Sequence, residues 1–162
     1  MFDWDVVIVG GGPAGLTAGL YLSRAKRRTI LLDKESFGGS IKKVEWIENY
    51  PGFTDGVSGA ELASKMMIQA TNYDLQLEQA EVTGIELFSS CRWVAFASGQ
   101  GYTAAAVIIA GGSRPKKLRV PGEELLRGKG LFSCALCEGG QFTDRVVAVC
   151  GGGMLALLRL FT

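Results

Sequence analysis

Residues 5–15 read DVVIVGGGPAG, in which a short apolar run leads into a glycine-rich turn. Val6–Val9 is a continuous apolar segment, as expected of a strand buried on both faces of a parallel sheet. Gly10, Gly12 and Gly15 then have the GxGxxG spacing that joins such a strand to a helix in dinucleotide-binding folds. The first glycine permits a tight turn, the second lets backbone N–H groups approach a pyrophosphate, and the third allows close helix packing. This stretch predicts a Rossmann-like α/β fold with a dinucleotide at the start of the helix.

The residues that follow complete a strand–helix–strand unit. Residues 14–26 predict a helix whose leucines face the sheet, and Thr29–Asp33 predicts the next strand. Asp33 ends this strand 18 residues after Gly15, close to where the motif has an acid that binds the adenosine ribose. The acid therefore strengthens the prediction of a dinucleotide site.

Beyond this unit the sequence predicts a mixed fold. Residues 34–57 predict a long irregular connection, and the Ser58–Glu61 capping box opens a helix that runs to about Asn72. Three short runs with brief connections predict an antiparallel meander: Leu75–Leu77, Val82–Leu87 and Arg92–Ala97. Residues 105–110 predict another buried strand, ended by glycines.

Pro115 and Pro121 indicate a domain boundary, so we expect residues 1–115 and 116–162 to belong to different domains. In the second of these, Val146–Val149 followed by Gly151–Gly153 repeats the pattern of residues 6–12, about 141 residues later. The repeat predicts a second nucleotide site that uses Gly151 and Gly153. Only nine residues follow Gly153, so we expect this site to be incomplete in the chain.

Composition narrows the function classes. The 17 Lys and Arg against 16 Asp and Glu give a formal net charge of +1, which argues against nucleic-acid or membrane-surface binding. The chain has no histidine, so histidine-based nucleophile pairs are excluded. No basic residue precedes the first apolar run, so we expect no secretory signal, a cytoplasmic location and reduced cysteines.

Cys134 and Cys137 form a CxxC, in which one thiolate can attack a partner disulfide and the other can resolve the mixed disulfide. Glu138 follows directly and is placed to deliver or take a proton. A structural pair and a metal site are the alternatives. A metal site needs four ligands, and the chain adds only the distant Cys91 and Cys150, so we expect no metal.

These motifs together resemble the low-molecular-weight thioredoxin reductases, over residues 5–153. The matching segments, in the family's order, are Gly10–Gly15, Gly38 and Gly39, Glu48–Phe53, Gly56–Ala63, Ser113–Pro115, Val120–Glu123, Gly128–Gly130, Cys134–Cys137 and Gly151–Gly153.

The resemblance implies a Rossmann-like FAD-binding domain, with a parallel sheet, helices and an antiparallel β-meander. This domain is followed by the truncated start of an NAD(P)-binding domain that carries the CxxC. Electrons would pass from NADPH or NADH through FAD to the disulfide and then to a thioredoxin-like protein. A homodimer is also expected, and the chain would be about half of a family member.

The resemblance also assigns site residues. Those expected to hold FAD are Gly10, Gly12, Pro13, Ala14, Gly15, Asp33, Lys34, Gly38, Gly39, Ser40, Asn49, Ala110 and Gly111. Cys137 would face the flavin, Cys134 would attack the partner disulfide, and Glu138 would stand at the position of the family's acid. The chain departs from the family at Ser40, Gly111 and Glu138, where Gln, Thr and Asp are usual.

Two other functions fit part of the pattern. A related flavoprotein that reduces a non-disulfide acceptor would need no CxxC, so Cys134 and Cys137 argue against it. A nucleotide-binding fragment without catalytic activity would follow if half of the FAD site were missing.

Overall fold

The protein is described by a computed structural model that covers residues 2–114, 116–133 and 142–151. The chain divides into two compact units, Met1–Gly112 and Ser113–Thr162. The elements of the first unit are β1 Trp4–Val9, α1 Pro13–Arg24, β2 Thr29–Asp33, a 3₁₀ helix Gly39–Lys43, α2 Gly59–Thr71, β3 Gln76–Gln79, β4 Val82–Leu87, β5 Arg92–Phe96 and β6 Gly101–Ile109. The second unit contains the short helix α3, Glu123–Leu126.

The described residues of the first unit form one six-stranded sheet, in the order β3-β2-β1-β6-β5-β4. Strand β1 pairs in parallel with β2 on one side and with β6 on the other. Strand β3 extends the parallel part, whereas β4 and β5 add antiparallel pairs beyond β6. The carboxyl ends of the four parallel strands therefore meet at one edge, where α/β proteins bind their ligands.

Each face of the sheet has its own apolar core. Ile8 of β1 and Leu31 of β2 pack with Leu16 of α1 and Ala70 of α2, so both helices cover the same face. On the opposite face, residues of the parallel strands pack with residues of β5 and β6: Val7, Ile30, Leu32, Val94, Phe96 and Ala104. The antiparallel strands therefore fold over the side that the helices leave open.

Helix α2 starts as its sequence predicts, because the Ser58 hydroxyl accepts the N–H of Glu61 at 3.2 Å. The preceding connection is not wholly irregular, since it contains the 3₁₀ helix and an antiparallel bridge between Ile47 and Val57. Those two residues pack with Leu62 of α2 in a small core of their own. This core fixes the connection to the helix.

The meander begins one strand later than the sequence predicts. The run at Leu75–Leu77 corresponds to β3, which pairs in parallel with β2 rather than antiparallel with β4. The chain leaves the parallel strands at Ala80, whose N–H donates to the carbonyl of Asp33 at 2.9 Å. The antiparallel pairing that follows runs through β4, β5 and the first half of β6.

In the second unit, residues 142–151 contain no strand, so the strand predicted at Val146–Val149 is wrong. Val146 and Val147 are exposed, whereas Val6 and Val7, whose pattern they repeat, are buried in β1. A parallel strand forms only where a neighbouring strand accepts its hydrogen bonds, and none of the described residues pairs with this segment.

Candidate functional site

The turn that follows β1 is shaped by Gly10. This residue has a φ of +112°, a left-handed conformation that residues with a Cβ rarely adopt. Its N–H donates to the carbonyl of Leu32 in β2 at 2.8 Å. On the other side of the turn lies Ala110, which follows β6. A Cβ on Gly10 would overlap its carbonyl oxygen, and the N–H of Ala110 donates to the carbonyl of Val9 at 2.7 Å. The turn therefore lies between the ends of β2 and β6.

Helix α1 begins directly after this turn, with Gly12 as its N-cap and Pro13 as its first residue. Within the described part of the chain, no side chain caps this end, and its first turn contains no acidic residue. The first N–H groups of an α-helix have no partner inside the helix, and the helix dipole favours negative charge there. This end of α1 can therefore accept phosphate groups.

Gly15 sets how closely the helix approaches the turn. A Cβ on Gly15 would overlap the carbonyl oxygen of Gly10 and would lie 3.4 Å from the side chain of Ile8. The helix start is thus held against the end of β1 by a contact that only glycine permits.

A second glycine pair closes the site from the loop after β2. Gly38 and Gly39 both have left-handed backbones, with φ of +112° and +63°. The N–H of Gly38 donates to the carbonyl of Gly11 at 2.7 Å. A Cβ on Gly39 would come within 2.8 Å of the Cα of Gly12, so the two backbones meet without an intervening side chain. The loop therefore completes a cradle made of backbone atoms.

Asp33 joins the two loops at the end of β2. Its Oδ2 accepts the N–H of Gly11 at 2.6 Å, and its Oδ1 accepts the N–H of Glu35 at 2.8 Å. An ionised carboxylate has about four acceptor positions, so two donors leave capacity for a further donor. Asp33 therefore fixes the glycine turn and can still accept a ligand hydroxyl.

Gly11 and Phe37 belong to this site, and the sequence prediction omits both. A Cβ on Gly11 would come within 2.7 Å of the Phe37 ring and 3.1 Å of the Asp33 carboxylate. A glycine at the variable position of GxG was an available signal for Gly11. Phe37 carries no local signal, because its contact with Gly11 depends on how the loop returns to the turn.

The predicted FAD residues fall into two groups. The structure brings together Gly10, Gly12, Pro13, Ala14, Gly15, Asp33, Gly38, Gly39, Ala110 and Gly111 around the ends of β1, β2 and β6. Lys34 and Ser40 are exposed residues of the same loop, and the Lys34 Nζ lies 3.8 Å from the Glu81 Oε1. Asn49 is exposed in the loop Glu48–Thr54, where it lines an open hollow of about 300 Å³.

Four predicted site residues lie outside the described residues: Cys134, Cys137 and Glu138, predicted for the redox chemistry, and Gly153, predicted for the second nucleotide site. Gly151, predicted for the second nucleotide site, is exposed and has a φ of +130°.

The clearest pKa shifts belong to residues that anchor strands. A hydrogen bond to Glu78, together with burial, raises the pKa of Tyr102 to about 12. Hydrogen bonds from the backbone and guanidinium of Arg28 lower the pKa of Asp5, whose Oδ1 lies 2.9 Å from the Arg28 Nη2. Both shifts therefore belong to contacts that hold strands of the sheet or their ends together.

Comparison with known proteins assigns most of the chain to one protein family. Residues 4–158 match the family described as pyridine nucleotide-disulphide oxidoreductase. The chain is 40% identical over 153 residues to a bifunctional thioredoxin reductase/thioredoxin of Mycobacterium leprae, covering 94% of this chain and 33% of the relative. It is 39% identical over 153 residues to a thioredoxin reductase of Mycolicibacterium smegmatis, covering 94% of this chain and 49% of the relative. The chain therefore spans a third to a half of the curated relatives it matches.

Solved structures agree with this match. The thioredoxin reductase of Lactococcus lactis in its FR conformation has a TM-score of 0.74 and 36% identity, covering 86% of this chain and 46% of that one. The thioredoxin reductase of Streptococcus pyogenes has a TM-score of 0.73 and 37% identity, covering 86% and 45%. The predicted α/β fold is confirmed.

No helix among the described residues is long and apolar enough to cross a membrane.

Proposed function

This chain belongs to the pyridine nucleotide-disulphide oxidoreductase family, and from that membership we propose that it binds FAD as part of a disulfide reductase of the thioredoxin reductase type. Electrons from NADPH or NADH pass through FAD to a Cys134–Cys137 disulfide, and then to a disulfide of a thioredoxin-like protein.

The observation that carries the proposal is the glycine cradle at the start of α1. No side chain caps the first N–H groups of this helix in the described part of the chain, and the backbone of Gly39 approaches that of Gly12, the N-cap, too closely for a Cβ on Gly39. A diphosphate fits such a site because its charge suits the helix dipole and its oxygens accept backbone N–H groups. Asp33 has acceptor capacity left for a ribose hydroxyl.

The residue roles follow from this assignment. Gly10, Gly12 and Gly15, with Pro13 and Ala14, hold the pyrophosphate. The other residues that we assign to FAD are Asp33, Lys34, Gly38, Gly39, Ser40, Asn49, Ala110 and Gly111. Gly151 and Gly153 begin the NAD(P) site of a domain that starts at about residue 116.

When bound, FAD supplies the means of passing an electron pair from NAD(P)H to a disulfide. Two electrons and two protons convert the Cys134–Cys137 disulfide into a dithiol. The Cys134 thiolate then attacks the partner disulfide and forms a mixed disulfide. Cys137 resolves it, which restores the first disulfide and releases the partner as a dithiol. Glu138 is assigned as the group that exchanges the proton.

Two further parts of the proposal concern the location and the oligomeric state of the protein. We place it in the cytoplasm, where a redox-active pair would be kept in exchange with reducing partners. We also assign it to a homodimer, which gel filtration with light scattering tests directly.

The first experiment is the visible absorption spectrum of the 162-residue protein after incubation with FAD and gel filtration. We expect a flavin band that co-elutes with the protein in stoichiometric amount. A wild-type protein without this band would contradict FAD binding by this chain.

Gly12→Asp makes the experiment specific to the pyrophosphate position. Gly12 has a φ of −75°, which any residue adopts, and a Cβ there would meet only the Cα of Gly39 at 3.9 Å. Asp is also a favourable N-cap, slightly better than Gly, so the variant should fold with equal stability or with a gain of roughly a few tenths of a kcal/mol. Its charge would repel the phosphates, so we expect the flavin band to disappear.

Gly84→Asp is the matched control, because a Cβ at this position in β4 would meet nothing within 4 Å. It adds the same charge to the same protein and should retain the band. A band that persists in Gly12→Asp would contradict the assignment of this cradle.

A further inference from the structure

The second unit contains a group of cations that the proposed function does not use. Residues 114–119 include four basic residues and no acidic one, although the whole chain has a formal net charge of only +1. Three of these cations, Lys116, Lys117 and Arg119, line an open cavity of about 430 Å³. Sites for small molecules have volumes of roughly 300 to 1,000 Å³, so the cavity is large enough for a small ligand.

The positive charges of this cavity are only partly neutralised. The Lys117 Nζ lies 2.5 Å from the Glu124 Oε1, and this hydrogen bond lowers the pKa of Glu124. Among the described residues, the ammonium of Lys116 and the guanidinium of Arg119 have no carboxylate within 4.0 Å. Like charges that share one space repel each other, and an anion between them removes that repulsion. The cavity therefore offers two positive charges to a ligand.

The backbone of Arg119 is held in an unusual conformation beside this cavity. Its φ is +59°, a left-handed value that is unfavourable for a residue with a Cβ. Glu123, which is 7% exposed, accepts the Arg119 N–H with its Oε2 at 2.8 Å. The other oxygen of Glu123, Oε1, lies 2.9 Å from the Arg127 Nη2, so Arg127 compensates this buried charge and the Arg119 guanidinium does not. Strained residues of this kind cluster at ligand sites, and the buried acid fixes this one in place.

The chemistry of the lining groups favours phosphate. A lysine ammonium is a compact point charge, and an arginine guanidinium presents paired N–H groups whose geometry matches the oxygens of a phosphate. A diphosphate carries several negative charges on neighbouring oxygens, so one such group can contact Lys116 and Arg119 together. A ligand with a single negative charge would leave one of these cations without a partner.

We propose that the cavity lined by Lys116, Lys117 and Arg119 binds a small ligand through a diphosphate group. This site does not depend on the FAD proposal, because the glycine cradle belongs to the first unit and none of its residues lines the cavity. The chain would then have two anion sites of different construction, one made of backbone N–H groups and one made of cationic side chains.

Calorimetric titration of the 162-residue protein with inorganic pyrophosphate tests the site. The buffer contains little salt, no phosphate and a chelator of divalent metals. Because pyrophosphate can also bind at the cradle, the titration uses the Gly12→Asp variant, whose added charge repels phosphate there. We expect one pyrophosphate to bind per chain of this variant. No measurable binding at pyrophosphate concentrations up to about 1 mM would overturn the proposal.

Two further substitutions, each combined with Gly12→Asp, assign the binding to the cavity. We expect Lys116→Gln to raise the Kd about fivefold and Arg119→Asn to raise it about tenfold, since each removes a positive charge close to the ligand. Asn tolerates the left-handed backbone at position 119, so the fold should be kept. Lys129→Gln is the matched control, because Lys129 is an exposed cation of the same unit that does not line the cavity, and it should change the Kd less than about twofold. An unchanged Kd in Arg119→Asn, or an equal loss in Lys129→Gln, would overturn the proposal.

Glu124→Gln provides a test that unfolding cannot imitate. This substitution releases Lys117 from its acidic partner, so pyrophosphate should bind about threefold more tightly. Unchanged or weaker binding in Glu124→Gln would contradict a role for the cavity. Inorganic phosphate, which carries fewer charges, should bind at least about tenfold more weakly than pyrophosphate. Equal affinity for the two anions would contradict a site that engages two cations at once. A protein that binds pyrophosphate in this way but shows no flavin band would contradict the FAD proposal alone.

Discussion

The hydroxyl of Tyr102 on β6 donates a 2.6 Å hydrogen bond to the Glu78 carboxylate on β3, although β2 and β1 separate these strands in the sheet. The contact is possible because the antiparallel strands fold over the face that the helices leave open. Phe96 of β5 packs edge-on against the Tyr102 ring, with the centroids 5.2 Å apart. One tyrosine therefore connects the parallel sheet to the strands that cover it.

Replacing Tyr102 by Phe should destabilise the fold by about 1.5 to 3 kcal/mol, the usual contribution of a hydrogen bond to a charged acceptor. The ring and its contact with Phe96 would remain. Urea unfolding at pH 8, followed by circular dichroism, measures the difference. Tyr21→Phe removes a hydroxyl from a residue that is 65% exposed and should have almost no effect. Equal losses in both variants would contradict a specific role for the Glu78 contact.

The same pair predicts how this difference changes with pH. The pKa of Tyr102 is about 12 in the folded protein, against the ordinary value of 10.0. Because the folded state holds the proton more tightly, the contribution of Tyr102 is fully present below pH 10 and declines as the pH rises toward 12. The stability gap between wild type and Tyr102→Phe should therefore be constant from pH 7 to 9 and smaller at pH 11. A stability gap that widens as the pH rises would contradict a raised pKa of Tyr102 in the folded protein.

Gly15→Ala should destabilise the protein in spite of alanine's higher helix propensity. Alanine in a helix is favoured over glycine by about 1 kcal/mol. Against this, the added Cβ would overlap the carbonyl oxygen of Gly10, which is backbone and cannot move aside as a side chain could. We expect a net loss of about 2 kcal/mol or more in urea unfolding. Gly84→Ala, with nothing near its added Cβ, should stay within about 0.5 kcal/mol of wild type.

The parts of the fold that sequence predicts well are those specified by neighbouring residues. Val6–Val9, the glycine spacing and Thr29–Asp33 lie within one strand–helix–strand unit, and β1, α1 and β2 follow them closely. The pairing of β3 was predicted wrongly. Its partner β2 lies more than 40 residues earlier, and nothing in the short sequence between Gln79 and Val82 distinguishes a hairpin from a strand that leaves the parallel part of the sheet.

In the candidate site, too, the features that depend on neighbouring residues can be predicted and those that depend on distant residues cannot. Gly10, Gly12, Gly15 and Asp33 could be assigned from spacing alone, because the motif encodes a local turn. The contact between Gly39 and Gly12, and that between Phe37 and Gly11, could not, since they depend on the path of a loop that returns from β2.

Asp33 provides the last prediction, because its two contacts suggest a role before any ligand binds. If Asp33 only bound the ribose, Asp33→Ala would weaken FAD binding and leave the stability of the flavin-free protein unchanged. Its carboxylate, however, accepts the N–H groups of Gly11 and Glu35 at 2.6 and 2.8 Å. Removing it leaves the partly buried Gly11 donor without this acceptor. We therefore expect Asp33→Ala to lower the free energy of unfolding of the flavin-free protein by about 2 kcal/mol.

Urea unfolding without FAD and flavin titration with it separate the two roles of Asp33. Asp55→Ala is the control, since Asp55 lies in an exposed loop and its nearest hydroxyl partner, Thr54, is 3.5 Å away. It should match wild type in both measurements. Asp33→Ala with weaker flavin binding but wild-type stability would mean that the Gly11 contact contributes nothing to the turn. Lower stability with unchanged flavin binding would mean that Asp33 acts on the turn and not on the ribose.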